Sequence, residues 1–299
     1  MFTDSHCHLN FPELRSQLPQ IREAMAAAQV TRALCICTTM EEFADVHSLA
    51  TTYDNFWSTV GVHPDNEGVY EPTLDDLVQR SKLPKVVAIG ETGLDYYQME
   101  ERKGGRSVAD MEWQRERFRT HIRAARVTGL PLVIHTRNAS GDTLAILREE
   151  MAHAAPVVQS SGQGARPGGE PDLQSDAKEG AAAGKSALVT GVFHCFTESM
   201  AVARAALDLG FYISFSGILT FKAAADLREV AAYVPLDRCL IETDSPYLAP
   251  MPYRGKTNNT SYVPFVAQQL ASLKGLDVES FAAATSANFD HLFSHALSA

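Results

Sequence analysis

Eight short apolar runs recur along the chain, each followed by a longer stretch with helical spacing, and this alternation limits the fold more than any other feature. The runs are residues 2–8, 33–38, 57–63, 86–91, 132–135, 188–194, 211–216 and 239–244. Between them, residues 12–29 carry Leu14, Leu18, Ile21, Met25 and Ala28 near the 3.6-residue period. Residues 111–128 carry Met111, Phe118, Ile122 and Ala125, and residues 139–153 carry Leu144, Leu147 and Met151, in the same way. Gly129-Leu130-Pro131 and Gly210 fit helix ends placed just before a strand. Strand–helix alternation of this kind predicts an α/β protein, with a parallel sheet closed into a (β/α)8 TIM barrel as one domain. An open doubly wound sheet is the alternative. No Gly-x-Gly-x-x-Gly or Walker-type loop follows any run, which weakens a nucleotide-binding reading.

Residues 157–187 break the pattern. They hold six Gly and no Phe, Tyr, Trp, Ile or Met. Such a composition cannot bury enough apolar surface to offset the entropy of ordering it, and predicts a flexible, disordered insertion. Without it, the 299-residue chain comes close to the ~250 residues usual for a barrel. The insertion joins the helix after the fifth strand to the sixth strand. Such connections lie on the barrel face away from the catalytic loops, so it is expected to be catalytically silent.

The net charge of −10 argues against broad coating of DNA or membranes, while leaving room for a small anion-handling site. No apolar run approaches the ~18 residues of a membrane span, and no basic-then-apolar leader precedes Phe2. The five cysteines, Cys7, Cys35, Cys37, Cys195 and Cys239, are too scattered for a disulfide framework. They read as buried reduced thiols of a cytoplasmic protein.

The chemistry-bearing residues sit where the apolar runs end. His6 and His8 are two apart, so on a strand they share a face, and two converging imidazoles suit a divalent transition metal. Taken alone, such a pair also reads as two polar core histidines. Gly90-Glu91-Thr92-Gly93-Leu94-Asp95 ends the fourth run and Val133-Ile134-His135-Thr136-Arg137 the fifth. Val192-Phe193-His194-Cys195-Phe196 ends the sixth, and Leu240-Ile241-Glu242-Thr243-Asp244-Ser245-Pro246 the eighth. Strand C-terminal ends form the rim on which barrel enzymes build their sites. Several ionisable groups converging there would be costly unless they paired or bound metal.

The ordered set HCH, GVHP, GETGLD, VIHTR, FHCF and ETDSP resembles the TatD family of metal-dependent deoxyribonucleases, part of the larger class of metal-dependent hydrolase barrels. The resemblance covers residues 2–155 and 188–295. It implies a site of two divalent metal ions (Mg, Mn or Zn) held by His6, His8, Glu91, His135, His194 and Asp244. In that mapping His6, His8 and Asp244 hold one ion, His135 and His194 the other, and Glu91 bridges them. His63 would contact a substrate phosphate. Asp244 is then either the group that takes a proton from water or a ligand alone. The activity implied is hydrolysis of phosphodiester bonds in single-stranded or damaged DNA, most simply from the 3′ end. The alternative is an amide or ester hydrolase of the same barrel class, such as a D-aminoacyl-tRNA deacylase. A DNA substrate is the one partner implied, with neither a membrane nor an obligate protein partner.

Supporting residues carry two readings each. Glu242 shares the face of Asp244 and either orients a histidine or is an interior carboxylate. Arg137 either grips a phosphate or pairs with a carboxylate such as Asp142. Arg254 and Asn258, in a loop after the eighth strand, either touch substrate or order the loop. By the resemblance, Asp65 stands where many members of that family carry a histidine. In the stretch 95–110, Tyr96 and Tyr97 either stack on a base or pack beneath the loop, and Arg102, Lys103 and Arg106 either meet phosphates or are solvated. His121, His153, His291 and His295 fall in helical patterns and read as ordinary surface or packing residues.

Overall fold

The computed structural model describes residues 1–99, 105–152 and 189–294. Eight parallel strands follow one another in chain order: β1 (Phe2–Cys7), β2 (Val30–Cys35), β3 (Phe56–Val60), β4 (Val86–Asp95), β5 (Leu132–Arg137), β6 (Gly191–Phe193), β7 (Tyr212–Phe215) and β8 (Cys239–Ile241). Just past β8 the chain returns to β1 through a parallel bridge between Cys7 and Ser245, supported by Asp244 N–H donating to the His6 carbonyl at 3.0 Å. All eight expected strands are present and the sheet closes, so the barrel is the fold and the open sheet is not.

The helices outside the sheet are α1 (Pro12–Arg15), α2 (Leu18–Ala27), α3 (Phe43–Thr52), α4 (Leu74–Ser81), α5 (Glu112–Thr128), α6 (Ser140–Ala152), α7 (Met200–Asp208), α8 (Ala225–Tyr233), α9 (Val263–Lys274) and α10 (Val278–Leu292). Where the periodicity of residues 12–29 predicts one helix, the chain forms two. Pro19 sits in the first turn of α2, where its missing N–H and fixed φ suit a helix start and not an interior. Several ends follow their sequence signals. Thr73 and Asp76 form a capping box on α4, Asp277 caps α10, and Gly129 closes α5 in the left-handed conformation.

The core has two layers. Inside the barrel, Leu34, Ile36, Val87, Val133, Val192 and Leu240 pack together, and Phe289, Leu292 and Phe293 from the end of α10 join them. The last turn of α10 therefore plugs the strand N-terminal end. Asn288 pins it there by donating to the carbonyls of Leu236 and Cys239 at 2.7 and 2.8 Å. Outside the barrel, the helices bury residues such as Leu14, Phe118, Ile122, Phe211 and Phe281 against the sheet. With the strand N-terminal end plugged, the opposite rim is left for polar groups.

The expected insertion at 157–187 lies outside the described residues. The residues on either side of it, Ala152 at the end of α6 and Gly191 at the start of β6, belong to a helix-to-strand connection. No helix among the described residues is long and apolar enough to cross a membrane.

Candidate metal centre

Two irregular strands aim the key side chains. In β1, Asp4 and Cys7 pair with Ala33 and Cys35, so one extra residue is accommodated around Ser5 and His6. In β4, Ile89 and Thr92 pair with Leu132 and Ile134, a bulge that holds Gly90 and Glu91. Only glycine fits on both sides of Glu91. Gly90 has φ +138° and Gly93 φ +133°, and a Cβ on Gly93 would lie 2.0 Å from the His135 carbonyl oxygen. Beyond the bulge the register brings Gly93 beside His135 and Asp95 beside Arg137.

Glu91 is the hub. Its Oε2 lies 3.4 Å from His6 Nε2 and 3.9 Å from His8 Nε2. Its Oε1 lies 2.8 Å from His194 Nε2 and 3.3 Å from both His135 Nδ1 and His63 Nε2. One carboxylate thus faces two histidine groups, one through each oxygen. Asp244 completes the first group, with Oδ1 3.4 Å from His8 Nε2 and 3.6 Å from His6 Nε2. Among the described residues, three sets of donor atoms lie close enough to hold a cation: His6, His8 and Asp244; His6, His194 and Glu242; and His63, Glu91 and His135. The structure thus brings together all six residues of the expected ligand set.

This donor set fits a divalent cation. His6 and His8 direct Nε2 atoms at each other across 3.3 Å, with carboxylate oxygens beside both. At most one of the two nitrogens can donate to the other, and a cation between them satisfies every lone pair at once.

Carboxylates behind the site fix the other histidines. The Nε2 of His135 is 3.0 Å from Asp95 Oδ2, so this nitrogen carries the proton and Nδ1 is left to face the site. Asp95 is fully buried. Its Oδ2 also accepts from Arg137 Nη2 at 2.6 Å, while its Oδ1 accepts from Arg137 Nε at 3.0 Å and from Tyr97 N–H at 2.9 Å. On the opposite side, His194 Nδ1 lies 3.3 Å from Glu242 Oε1, which also accepts the Cys195 N–H at 2.7 Å. Glu242 therefore orients a histidine, the first of its two expected readings.

The electrostatics follow from this crowding. Burial pushes the Glu91 carboxyl up, but His194, His63, His6 and His135 pull it well below the usual range. Burial pushes His194 down, and Glu91 and Glu242 reverse that and lift it well above its ordinary value. For Asp95, burial raises the carboxyl, and His135 and Arg137 outweigh it to hold the group ionised.

His63 differs from the other histidines. Its Nδ1 accepts the Asp65 N–H at 3.0 Å, so in the neutral ring Nε2 carries the proton and points it toward Glu91. That is the state of a hydrogen-bond donor rather than of a ligand.

The site opens into a pocket of about 560 Å³ on the strand C-terminal rim, a size suited to a small ligand. Besides the histidines and carboxylates, its lining includes polar Thr38, Asn66, Thr136 and Arg137 and apolar Phe11, Ile218 and Leu248, with Tyr247 among them.

Several readings of the supporting residues change. Arg137 pairs with Asp95, not Asp142, because β4 runs four residues past Glu91 and sets Asp95 alongside it. Asp142 instead accepts from the Tyr96 hydroxyl at 2.7 Å, and Tyr96 is buried beneath the loop, which removes it as a stacking surface. The Arg137 guanidinium lies over the Tyr97 ring, 4.3 Å from its centre. Arg106 pairs with Glu67 at 2.7 Å, while Arg102 and Lys103 lie outside the described residues. Asn258 is fully buried and donates to the carbonyls of Thr243 and Tyr247, so it orders the loop after β8. Arg254 is exposed over the Phe221 ring and does not line the pocket. His121 is a packing residue with both nitrogens used, accepting from Val62 N–H at 3.1 Å and donating to the Arg117 carbonyl at 2.8 Å. His291 is exposed, and His153 and His295 lie outside the described residues. Asp95 is the site residue that sequence reasoning missed. Its signal was present as the last residue of GETGLD, hidden by the expectation that the strand ends at Glu91.

Comparison with known proteins agrees with this architecture. Residues 3–294 match the family described as TatD related DNase. An uncharacterized metal-dependent hydrolase, YcfH, from Escherichia coli (strain K12) is 41% identical over 294 residues, covering 97% of this chain and 94% of that protein. The 3′-5′ ssDNA/RNA exonuclease TatD of Salmonella typhimurium is 29% identical over 273 residues, 89% of each chain. Among solved structures, the TatD homolog YjjV from Escherichia coli K12 superposes with a TM-score of 0.77 at 23% identity, covering 98% of both chains.

Proposed function

The chain belongs to the TatD-related DNase family of metal-dependent hydrolases, and from that premise we propose that it is a 3′-5′ exonuclease cleaving phosphodiester bonds of single-stranded or damaged DNA. The observation that carries the reading is the Glu91 carboxylate, whose two oxygens face separate histidine groups. In this reading His6, His8 and Asp244 would hold one divalent ion and His135 and His194 a second, and Glu91 would offer one carboxylate oxygen to each. Mg, Mn and Zn are all compatible with mixed imidazole and carboxylate donors. When bound, such ions supply the positive charge that makes water nucleophilic near neutral pH and offset charge on phosphoryl oxygens.

The chain's own residues do the rest. Asp244, in the pocket wall, accepts the proton of the attacking water on its carboxylate while the phosphorus–oxygen bond to the leaving sugar breaks, and the departing sugar oxygen takes its proton from solvent. His63 turns its Nε2–H from Glu91 to hydrogen-bond a non-bridging phosphate oxygen, the role supported by its occupied Nδ1. Asp95 keeps His135 in the tautomer that leaves Nδ1 available. Arg137, 43% exposed at its side chain and anchored by Asp95, presents its remaining N–H groups to a second phosphate oxygen. The relative that acts on ssDNA and RNA by its name supports a nucleic-acid substrate.

The test is turnover of single-stranded DNA by metal-reconstituted protein, beside a panel of aminoacyl-tRNA and small amide substrates. Release of mononucleotides from the 3′ end is expected, with His135→Ala inactive. Turnover of an amide or an aminoacyl ester, with DNA left intact, would overturn the proposal.

A further inference from the structure

We infer that the two rim loops after β7 and β8 form a track that carries the rest of a single-stranded substrate away from the pocket. The inference rests on the nuclease reading above and adds where the strand runs.

The track begins in the pocket wall. Ile218 and Leu248, one from each loop, line the pocket, and Tyr247 beside them is 53% exposed. The loops are joined. Met251 N–H donates to Thr220 Oγ1 at 2.8 Å, and Gly217 packs so closely that an added Cβ would lie 1.9 Å from the Leu248 carbonyl oxygen. Asn258 ties the base of the second loop to Thr243 and Tyr247. The surface is therefore a fixed extension of the site.

Along it, cations alternate with aromatic rings. The Arg254 guanidinium lies 4.5 Å from the centre of the Phe221 ring, and Lys222 follows Phe221 on the exposed surface. Lys256 Nζ lies 5.6 Å from the centre of the Tyr253 ring, which stacks on Tyr262 with centres 4.2 Å apart and planes at 4°. Among the described residues, none of Lys222, Arg254 and Lys256 makes an ion pair. In a chain of net charge −10, three exposed cations gathered on two joined loops that also line the pocket give a polyanion a local surface to follow. Rings placed next to such cations are what sequence-tolerant single-strand binding uses, because every base has a face to stack.

The experiment compares labelled oligothymidylates, a dinucleotide, a hexamer and a dodecamer. Manganese-loaded protein is assayed for kcat/KM, and metal-free protein for binding by fluorescence anisotropy. The wild type is expected to gain about tenfold in affinity and in kcat/KM from dinucleotide to hexamer, through KM. The triple variant Lys222→Glu/Arg254→Glu/Lys256→Glu is expected to lose that gain, and the salt slope of dodecamer binding to shrink by about 2, as for three phosphate contacts on a single strand. The control Lys82→Glu changes charge by the same amount as Lys256→Glu alone, at the far end of α4, and is expected to keep the length dependence. A folded triple variant, verified by its thermal melt, that retains the wild-type length dependence overturns the track. So does a Lys82→Glu protein that loses it equally, because the effect is then one of net charge. Protein that cleaves no oligonucleotide would end the nuclease reading instead, and the anisotropy series still decides the track.

Discussion

Replacing Asp95 by Asn probes how the site is held rather than what it holds. The two side chains have nearly the same shape, but Asp95 accepts from four donors: His135 Nε2 and Arg137 Nη2 on one oxygen, Arg137 Nε and Tyr97 N–H on the other. Asn has one oxygen and one NH2 group, so in either orientation it sets a donor against two donors. If NH2 faces His135, the ring must shift its proton to Nδ1, and the atom 3.3 Å from Glu91 no longer offers a lone pair to a cation. If NH2 faces Tyr97, two N–H groups lose their acceptor beside a buried position, at about 1–3 kcal/mol for each one left unsatisfied. Loss of such an outer partner of a ligand histidine costs about 10–100-fold in metal affinity, or about 1.4–2.7 kcal/mol. Calorimetric titration with Mn or Zn is expected to show the site of His135 and His194 weakened by that factor and the site of His6 and His8 little changed. Nitrogen NMR of the histidine rings is expected to report a shifted His135 tautomer. Unchanged affinity at both sites, with His135 still protonated on Nε2, would refute the argument.

Three further outcomes follow from other parts of the molecule. Burial pushes the His121 pKa down from 6.5 to about 4, so the folded protein keeps it neutral. Its contribution to stability is therefore complete above pH 6.5 and falls by up to about 3 kcal/mol as the pH drops through that window to about 4. Denaturant unfolding of wild type and His121→Asn at about pH 7 and about pH 4.5 should show their difference shrinking in acid, and a constant difference contradicts it. Phe289→Ala empties part of the barrel plug, where the ring is fully buried 4.6 Å from Phe293 and 6.1 Å from Trp57, and is expected to cost about 3–5 kcal/mol in urea unfolding. A loss below about 1 kcal/mol would mean that α10 does not complete the core. Deleting residues 157–187, which interrupt the helix-to-strand connection between α6 and β6, is expected to leave turnover unchanged, and a large loss would show that the segment reaches the site.

The fold was legible because parallel strands buried on both faces write themselves as continuous apolar runs, and all eight did. What periodicity did not carry was irregularity. The break between α1 and α2 depends on a proline whose position reads equally as helix start or interior. The bulge at Gly90 and Glu91 lengthens β4 to Asp95, and with that one change Arg137 acquires a different partner and Tyr96 goes beneath the loop. The convergence of the six expected site residues was legible because a histidine or carboxylate at the end of an apolar run has few structural uses. Asp95 and the roles of Asn258 and Arg254 depend on loop paths, which no spacing rule supplies.

The central claim is that one carboxylate, Glu91, spans two cation positions, and metal content measures it directly. Wild-type protein equilibrated with buffered Mn or Zn and then desalted is expected to retain two ions per chain, and Glu91→Ala to retain fewer than one, because both histidine groups lose their shared oxygen donor. A Glu91→Ala protein that still carries two tightly held ions would contradict the bridging role and the site built around it.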